Sequence, residues 1–235
     1  MIPNFKKHVI ATLENTIPPW PMNTFMTSGD LNTNGHIDLV ISGRNGRMIW
    51  LENKGDLVFE EHLIDPDVHQ VECGGSVYDI TGNGFLDVLV GSGANIELWW
   101  WENPGVPNQA WRKHTIYNHN HEGHVHDTLI GKALNTGKQV LITSNQYRPA
   151  QNQTELYVME FPTEHPEAEW PQIKVGTDFA EGLEAPDGSF PKMQPDEGLA
   201  IGDLTGDGRN EIVMGNHWFQ QTGNTWQAHR FTTGY

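Results

Sequence analysis

The stretch "NHNHEGHVHD", Asn118–Asp127, holds four histidines and two carboxylates within ten residues. His121, His124 and His126 stand at i, i+3 and i+5, and Asp127 follows at i+6. A neutral imidazole is a good ligand for an ion such as Zn²⁺, and a carboxylate adds an oxygen donor. The same imidazoles titrate near neutral pH and so can carry protons. The alternative is a hydrogen-bonded polar loop, since the spacing follows no standard zinc motif. Choosing between them requires knowing how the chain uses its 12 histidines as a set.

The elements that must position these groups emerge from repetition. "SGDLNTNGHIDLVISG" (Ser28–Gly43), "VYDITGNGFLDVLVGS" (Val77–Ser92) and "AIGDLTGDGRNEIVMG" (Ala200–Gly215) share one pattern. Each reads as an apolar strand, a Gly/Asn/Asp turn, and a strand of Ile, Leu and Val. "LIGKALNTGKQVLITS" (Leu129–Ser144) is a copy with a degenerate turn. A third strand follows ("MIWLEN", "LWWWEN", "LYVMEF", "HWFQQ"), aligning Trp50, Trp100, Val158 and Trp218. A fourth completes each unit: "FEEHLI", "WRKHTI", "WPQIKV", "WQAHRF".

Asp30 and Asp79 lie 49 residues apart, and Glu52 and Glu102 lie 50 apart. Four short strands at that period predict an all-β fold, a β-propeller with four visible four-stranded blades. The expected blades are 11–64, 65–116, 117–175 and 176–231 of a single domain, 1–235, with the Trp column filling the core between them. "FKKHVI" (Phe5–Ile10) matches the fourth strand without three strands before it. As a surplus outer strand it implies half of a larger ring, a ring shared by two chains as a homo-oligomer, or a capped sheet edge.

These units resemble the FG-GAP/VCBS family of β-propeller repeats. The resemblance rests on "GDLTGDGRNEIVMG" and its copies, the Trp-(Leu/Trp)-Glu-Asn third strand, and the aromatic-x-x-His-x-Ile fourth strand. It spans nearly the whole chain. The "WWWENPG" and "LYVMEFP" strands are similar to the propeller domains of carbohydrate-active proteins, among them aldos-2-ulose dehydratase and rhamnose–glucuronate lyases. The resemblance implies a carbohydrate ligand and a lyase or dehydratase acting on a sugar or uronate-containing polysaccharide. A non-catalytic glycan- or protein-binding module, or an inactive partial propeller, is the competing expectation, because folds of this kind host many activities.

His8, His62, His114 and His229 recur in one fourth-strand slot, which marks them as framework. His36 falls in a turn and His165 in a Pro-rich loop, and neither is assigned a role. His69, His119, His121, His124, His126 and His217 are left. In a four-strand meander, the links between units and the second-to-third turns lie on one face. That rim gathers His69, Glu72, His119–Asp127, Asp196, Glu197, Arg44, Asn95, Tyr147, Arg148 and His217.

Elimination from a sugar requires a cation to neutralise a carboxylate, a base for the adjacent proton and an acid for the leaving oxygen. His124, His126, Tyr147 and Arg148 are the catalytic candidates, and Arg44, His69 and His217 the substrate-binding ones. A metal set would draw on His121, His124, His126 and Asp127, with His124 and His126 on one strand face. An exposed loop at Tyr147 and Arg148, and aromatic packing at His217, are the structural alternatives. His119 and Glu122 are set aside. Trp99, Trp100 and Trp101 alternate faces and cannot form one stacking platform.

On the opposite face, Asp203, Thr205, Asp207 and Glu211 take positions 1, 3, 5 and 9 of a glycine loop, a pattern compatible with Ca²⁺. Asp30, Asn32, Asn34 and Asp38, and Asp79, Thr81, Asn83 and Asp87, are weaker copies. The alternative is a turn closed by side-chain bonds to backbone N–H groups. No organic cofactor is implied.

Composition narrows the partners. Lys and Arg number 14 against 30 Asp and Glu, a formal net charge of −16. That charge argues against nucleic acid and anionic membranes. Cys73 is the single cysteine, so no intrachain disulfide forms. No apolar run approaches membrane-spanning length, and the N-terminus carries no signal-like segment. A soluble protein is expected, cytoplasmic unless a leader has been removed.

Overall fold

Short runs of Val, Ile, Leu and Trp separated by Gly/Asn/Asp turns become strands, because alternate side chains then reach opposite faces of a sheet. The computed structural model describes residues 5–19, 21–106, 109–147, 154–162, 164–177 and 197–231. It is all-β, with antiparallel pairing throughout and no helix among the described residues. Among these residues no helix is long and apolar enough to cross a membrane.

Strands β1 (Met22–Gly29), β2 (Asp38–Asn53) and the first part of β3 (Phe59–Tyr78) form the first sheet. The second joins the latter part of β3 to β4 (Asp87–Ser92), β5 (Asn95–Glu102) and the start of β6 (Arg112–Gly131). The third joins the end of β6 to β7 (Val140–Tyr147), β8 (Thr154–Glu160) and β9 (Gln172–Thr177). The fourth is separate: β10 (Leu199–Gly202), β11 (Glu211–Met214), β12 (His217–Thr222) and β13 (Thr225–Arg230). The expected boundaries at 64/65 and 116/117 fall inside β3 and β6, each of which runs unbroken from one sheet into the next.

Apolar cores lie between consecutive sheets. Phe25, Val40 and Met48 pack against Val88, Val90, Trp99 and Trp101. Leu89, Trp100 and Ile116 pack against Leu141, Met159 and Trp170. Ile142, Leu156 and Val158 pack against Ile212, Met214 and Phe219. The three tryptophans of "WWW" thus divide between two cores, as strand alternation requires.

Residues 5–10 correct one expectation: they form no strand, and Phe5 and Val9 are exposed. The segment just after them explains why. Ala11 and Leu13 pack on Ile41, Ile49 and Leu51, covering the outer face of the first sheet. Backbone bonds from Arg47 to Asn15 and from Ile17 to Asn45 fix that cover. The N-terminal segment covers a face and adds a single antiparallel bridge, Thr16 to Gly46, in place of a strand.

The Gly/Asn/Asp turns share one internal scheme. The buried carboxylates of Asp38, Asp87 and Glu211 accept the N–H of Leu31, Ile80 and Leu204 from across the turn. Asp38 and Asp87 also accept from the N–H of Asn53, at the end of β2, and of Asn103, just past β5. The links from sheet to sheet, within β3 and β6, form the opposite rim.

Candidate functional site

At that rim the four sheets converge through named contacts. Gly74 lies so close to the third sheet that a Cβ there would stand 2.5 Å from the Asp127 Cα. At Gly91 a Cβ would stand 2.2 Å from the Val125 carbonyl oxygen. Only glycine permits this approach, which brings the Glu72–Cys73 link against His124–Asp127.

Glu72 is the hub. Its buried carboxylate accepts a hydrogen bond from the Arg44 guanidinium and stands 3.2 Å from Nδ1 of His124. Burial alone would raise its pKa, but His124 and Arg44 outweigh it and hold the carboxyl at about 2. His124 is itself buried, and its Nδ1 also stands 2.8 Å from the Gly93 carbonyl oxygen. Arg44, expected to grip a substrate carboxylate, grips an internal one. His124 ties the second sheet to the third through its Nδ1.

A register shift between Val125 and Asp127 leaves His126 as the extra residue of a β-bulge. The expectation that His124 and His126 continue one strand face therefore fails, because a bulge breaks the alternation. Nδ1 of His126 lies 2.9 Å from Asp127 Oδ2, and its Nε2 lies 3.5 Å from Glu197 Oε1. The Asp127 bond, the largest influence, raises the pKa of His126 against the opposing effect of burial. Asp127 Oδ2 also accepts the N–H of Gly198, which ties in the fourth sheet. One ligand atom each from Glu72, Cys73 and His126 lie within 4.8 Å of one another. Cys73 is exposed as a residue, but partial desolvation of its thiol, followed by the charges of Glu72 and Asp127, pushes it up to about 11.

A second group sits where the middle of β6 meets the end of β7. Tyr147 Oη lies 3.1 Å from His119 Nδ1, and the Tyr147 ring meets His121 edge-on at 5.3 Å. His119 also stacks on Tyr117. Burial holds His119 below the ordinary histidine range. Burial and then Glu155 push Tyr147 up to about 12. His119, set aside on sequence grounds, stands beside a tyrosine 28 residues later. Glu122 is exposed and pairs through its backbone with Asn95.

The expected metal set is thereby divided. His121 goes to Tyr147, His124 to Glu72, and His126 and Asp127 to each other. His69 joins neither group. Its Nε2 is 2.9 Å from Asp65 Oδ2, which also accepts from the Trp101 indole. Its ring stands edge-on to Trp101. His217 is buried near Phe219, with ring centroids 6.4 Å apart. Arg148 and Asp196 lie outside the described residues.

Three of the four framework histidines behave as their register predicts. His62 and His114 bond Glu52 and Glu102 at 2.8 and 2.9 Å. His114 and His229 stack on Trp100 and Trp218 at 4.1 and 4.0 Å. His8 lies outside any strand. A polar cleft of about 350 Å³ beside His114 is lined by Glu102, Arg112 and Glu167, but its histidine is already bonded to Glu102.

In the Asp203 loop, the Asp203 carboxylate accepts the N–H groups of Gly206, Asp207 and Gly208. Asp207 is paired with Arg209, while Glu211 accepts from Leu204 and Thr205. These carboxylates already serve as acceptors for their own turn.

Cys73 is the residue that sequence reasoning passed over as a ligand. It is a single thiol with no recurring partner, and only its adjacency to Glu72 on the rim could have flagged it. The chain matches no family model and no curated protein.

Proposed function

We propose that the four sheets are consecutive blades of a β-propeller and that the chain is a carbohydrate-active protein of the dehydratase type. In this reading, His119 is the general base and Tyr147 the general acid of an elimination. The carrying observation is their 3.1 Å contact combined with opposite shifts in acidity. An imidazole kept neutral can take a proton from the carbon next to a sugar carbonyl. A phenol kept protonated can deliver a proton to the departing hydroxyl on the next carbon. Both groups then hold the required state across neutral pH.

The electrostatics favour a neutral keto-sugar over a polyuronate. Among the described residues the cation nearby, Lys174, is bound to Glu155 at 2.5 Å, and the chain carries a formal charge of −16. Blade architecture is supported by the core between each pair of consecutive sheets and by strands that run from one sheet into the next.

The test is turnover of neutral 2-keto sugars, followed by absorbance of the conjugated product. The Tyr147→Phe and His119→Gln variants should each lower kcat by about 100-fold or more, with KM little changed. The acidic limb of the pH profile should lie below the ordinary histidine range and vanish in His119→Gln. Unchanged kcat in both variants would remove the pair from any mechanism.

A further inference from the structure

We propose that Glu72, Cys73 and His126 bind one Zn²⁺-like transition-metal ion, with Glu197 closing the site. The donor set is mixed: a thiol, an imidazole and a carboxylate, drawn from two sheets and brought within 4.8 Å of one another. Thiolate with imidazole selects Zn²⁺ or a neighbouring soft ion over Ca²⁺ or Mg²⁺, which take oxygen ligands. Metal–ligand bonds of 2.0–2.3 Å place tetrahedral neighbours about 3.5 Å apart. The donors must therefore draw in by about 1 Å. An exposed Cys73 and a His126 carried on a β-bulge can make that movement.

The surroundings are those of a metal site. Asp127 bonds Nδ1 of His126, the carboxylate–histidine arrangement that orients a metal-bound imidazole and leaves Nε2 for the ion. Glu197 Oε1 stands 3.5 Å from that Nε2, within reach of a fourth position. Arg44 and His124 both approach Oε1 of Glu72, while Oε2 faces only the Cys73 thiol at 3.4 Å. Three carboxylates, those of Glu72, Asp127 and Glu197, surround the position against the single guanidinium of Arg44. Binding would release the thiol proton to solvent, leaving thiolate as the ligand.

A second triplet of similar composition shows what a filled arrangement looks like. Glu52, Glu60 and His62 also bring ligand atoms within 4.8 Å. There the Lys54 ammonium bonds both carboxylates, at 2.6 and 3.2 Å, and takes the place a metal would occupy. No lysine serves Glu72 in this way among the described residues.

The full chain, stripped of metal, should take up one equivalent of Co²⁺ and develop a thiolate-to-cobalt charge-transfer band. Zn²⁺ should displace the cobalt, and Ca²⁺ in excess should not. Cys73→Ser should abolish the band, and His126→Ala should weaken binding at least about tenfold. Asp127→Asn should weaken it by about 10- to 100-fold through loss of orientation. Zn²⁺ should also protect Cys73 of the unmodified protein from alkylation, a readout that depends on no variant folding. A missing band, a band that survives Cys73→Ser, or alkylation unaffected by Zn²⁺ would overturn the assignment. These measurements read binding, so this site and the His119–Tyr147 pair can each fail alone.

Discussion

His114 and His126 are both imidazoles held 2.9 Å from a carboxylate, yet they occupy opposite kinds of environment. His114 lies almost parallel to Trp100, 10° between the rings, and its Nε2 is taken by Glu102. His126 bonds its carboxylate through Nδ1, so Nε2 is directed toward Glu197. A histidine–carboxylate pair is thus no sign of function by itself. What covers the ring, and which nitrogen is committed, separate a framework group from one able to bind an ion.

The sharpest way to probe the framework side is Trp100→Ala. It empties the core between the second and third sheets and removes the ring on which His114 lies. A loss of about 3–5 kcal/mol is expected in urea unfolding. A loss under about 1 kcal/mol would mean that this column is not what joins the sheets.

Glu72→Gln probes the rim. It leaves Arg44 without its anion, and the partial exposure of Arg44 limits the cost to about 2 kcal/mol at neutral pH. The carboxyl is lowered from 4.5 to about 2 in the folded chain. Its stabilisation is therefore complete above pH 4.5 and lost as pH falls toward 2. The variant should flatten that limb of the stability–pH curve, and an unchanged limb would show that Glu72 does not govern it.

The smallest effect tests the opening contrast directly. His114→Ala should cost about 1 kcal/mol or more, and His126→Ala in metal-free protein less than that. Thermal melts of the two variants check the order. A reversed order would make His126 the structural group.

Much of the fold was legible because it rests on local periodicity. Two-residue alternation and recurring turns announced all-β structure, and Trp100 and His114 sit as that register requires, whereas Trp218 is only partly buried and stacks on His229. The rim was legible only as a neighbourhood. His69 and His217 belong to local packing, and His119 belongs with Tyr147. The alternation rule failed at the His126 bulge, because one extra residue in a strand leaves no mark in residue type.

The sequence by itself determined the strand class, the turn chemistry and the acidic balance, since these depend on residues near one another in the chain. Tertiary structure alone decided which nitrogen of each imidazole is bonded and to what. It also decided that Cys73 stands with His126, 53 residues away in sequence. The reason is physical: backbone approach at Gly74 and Gly91 sets those distances. That approach is a property of sheets packed against each other, which no single strand encodes.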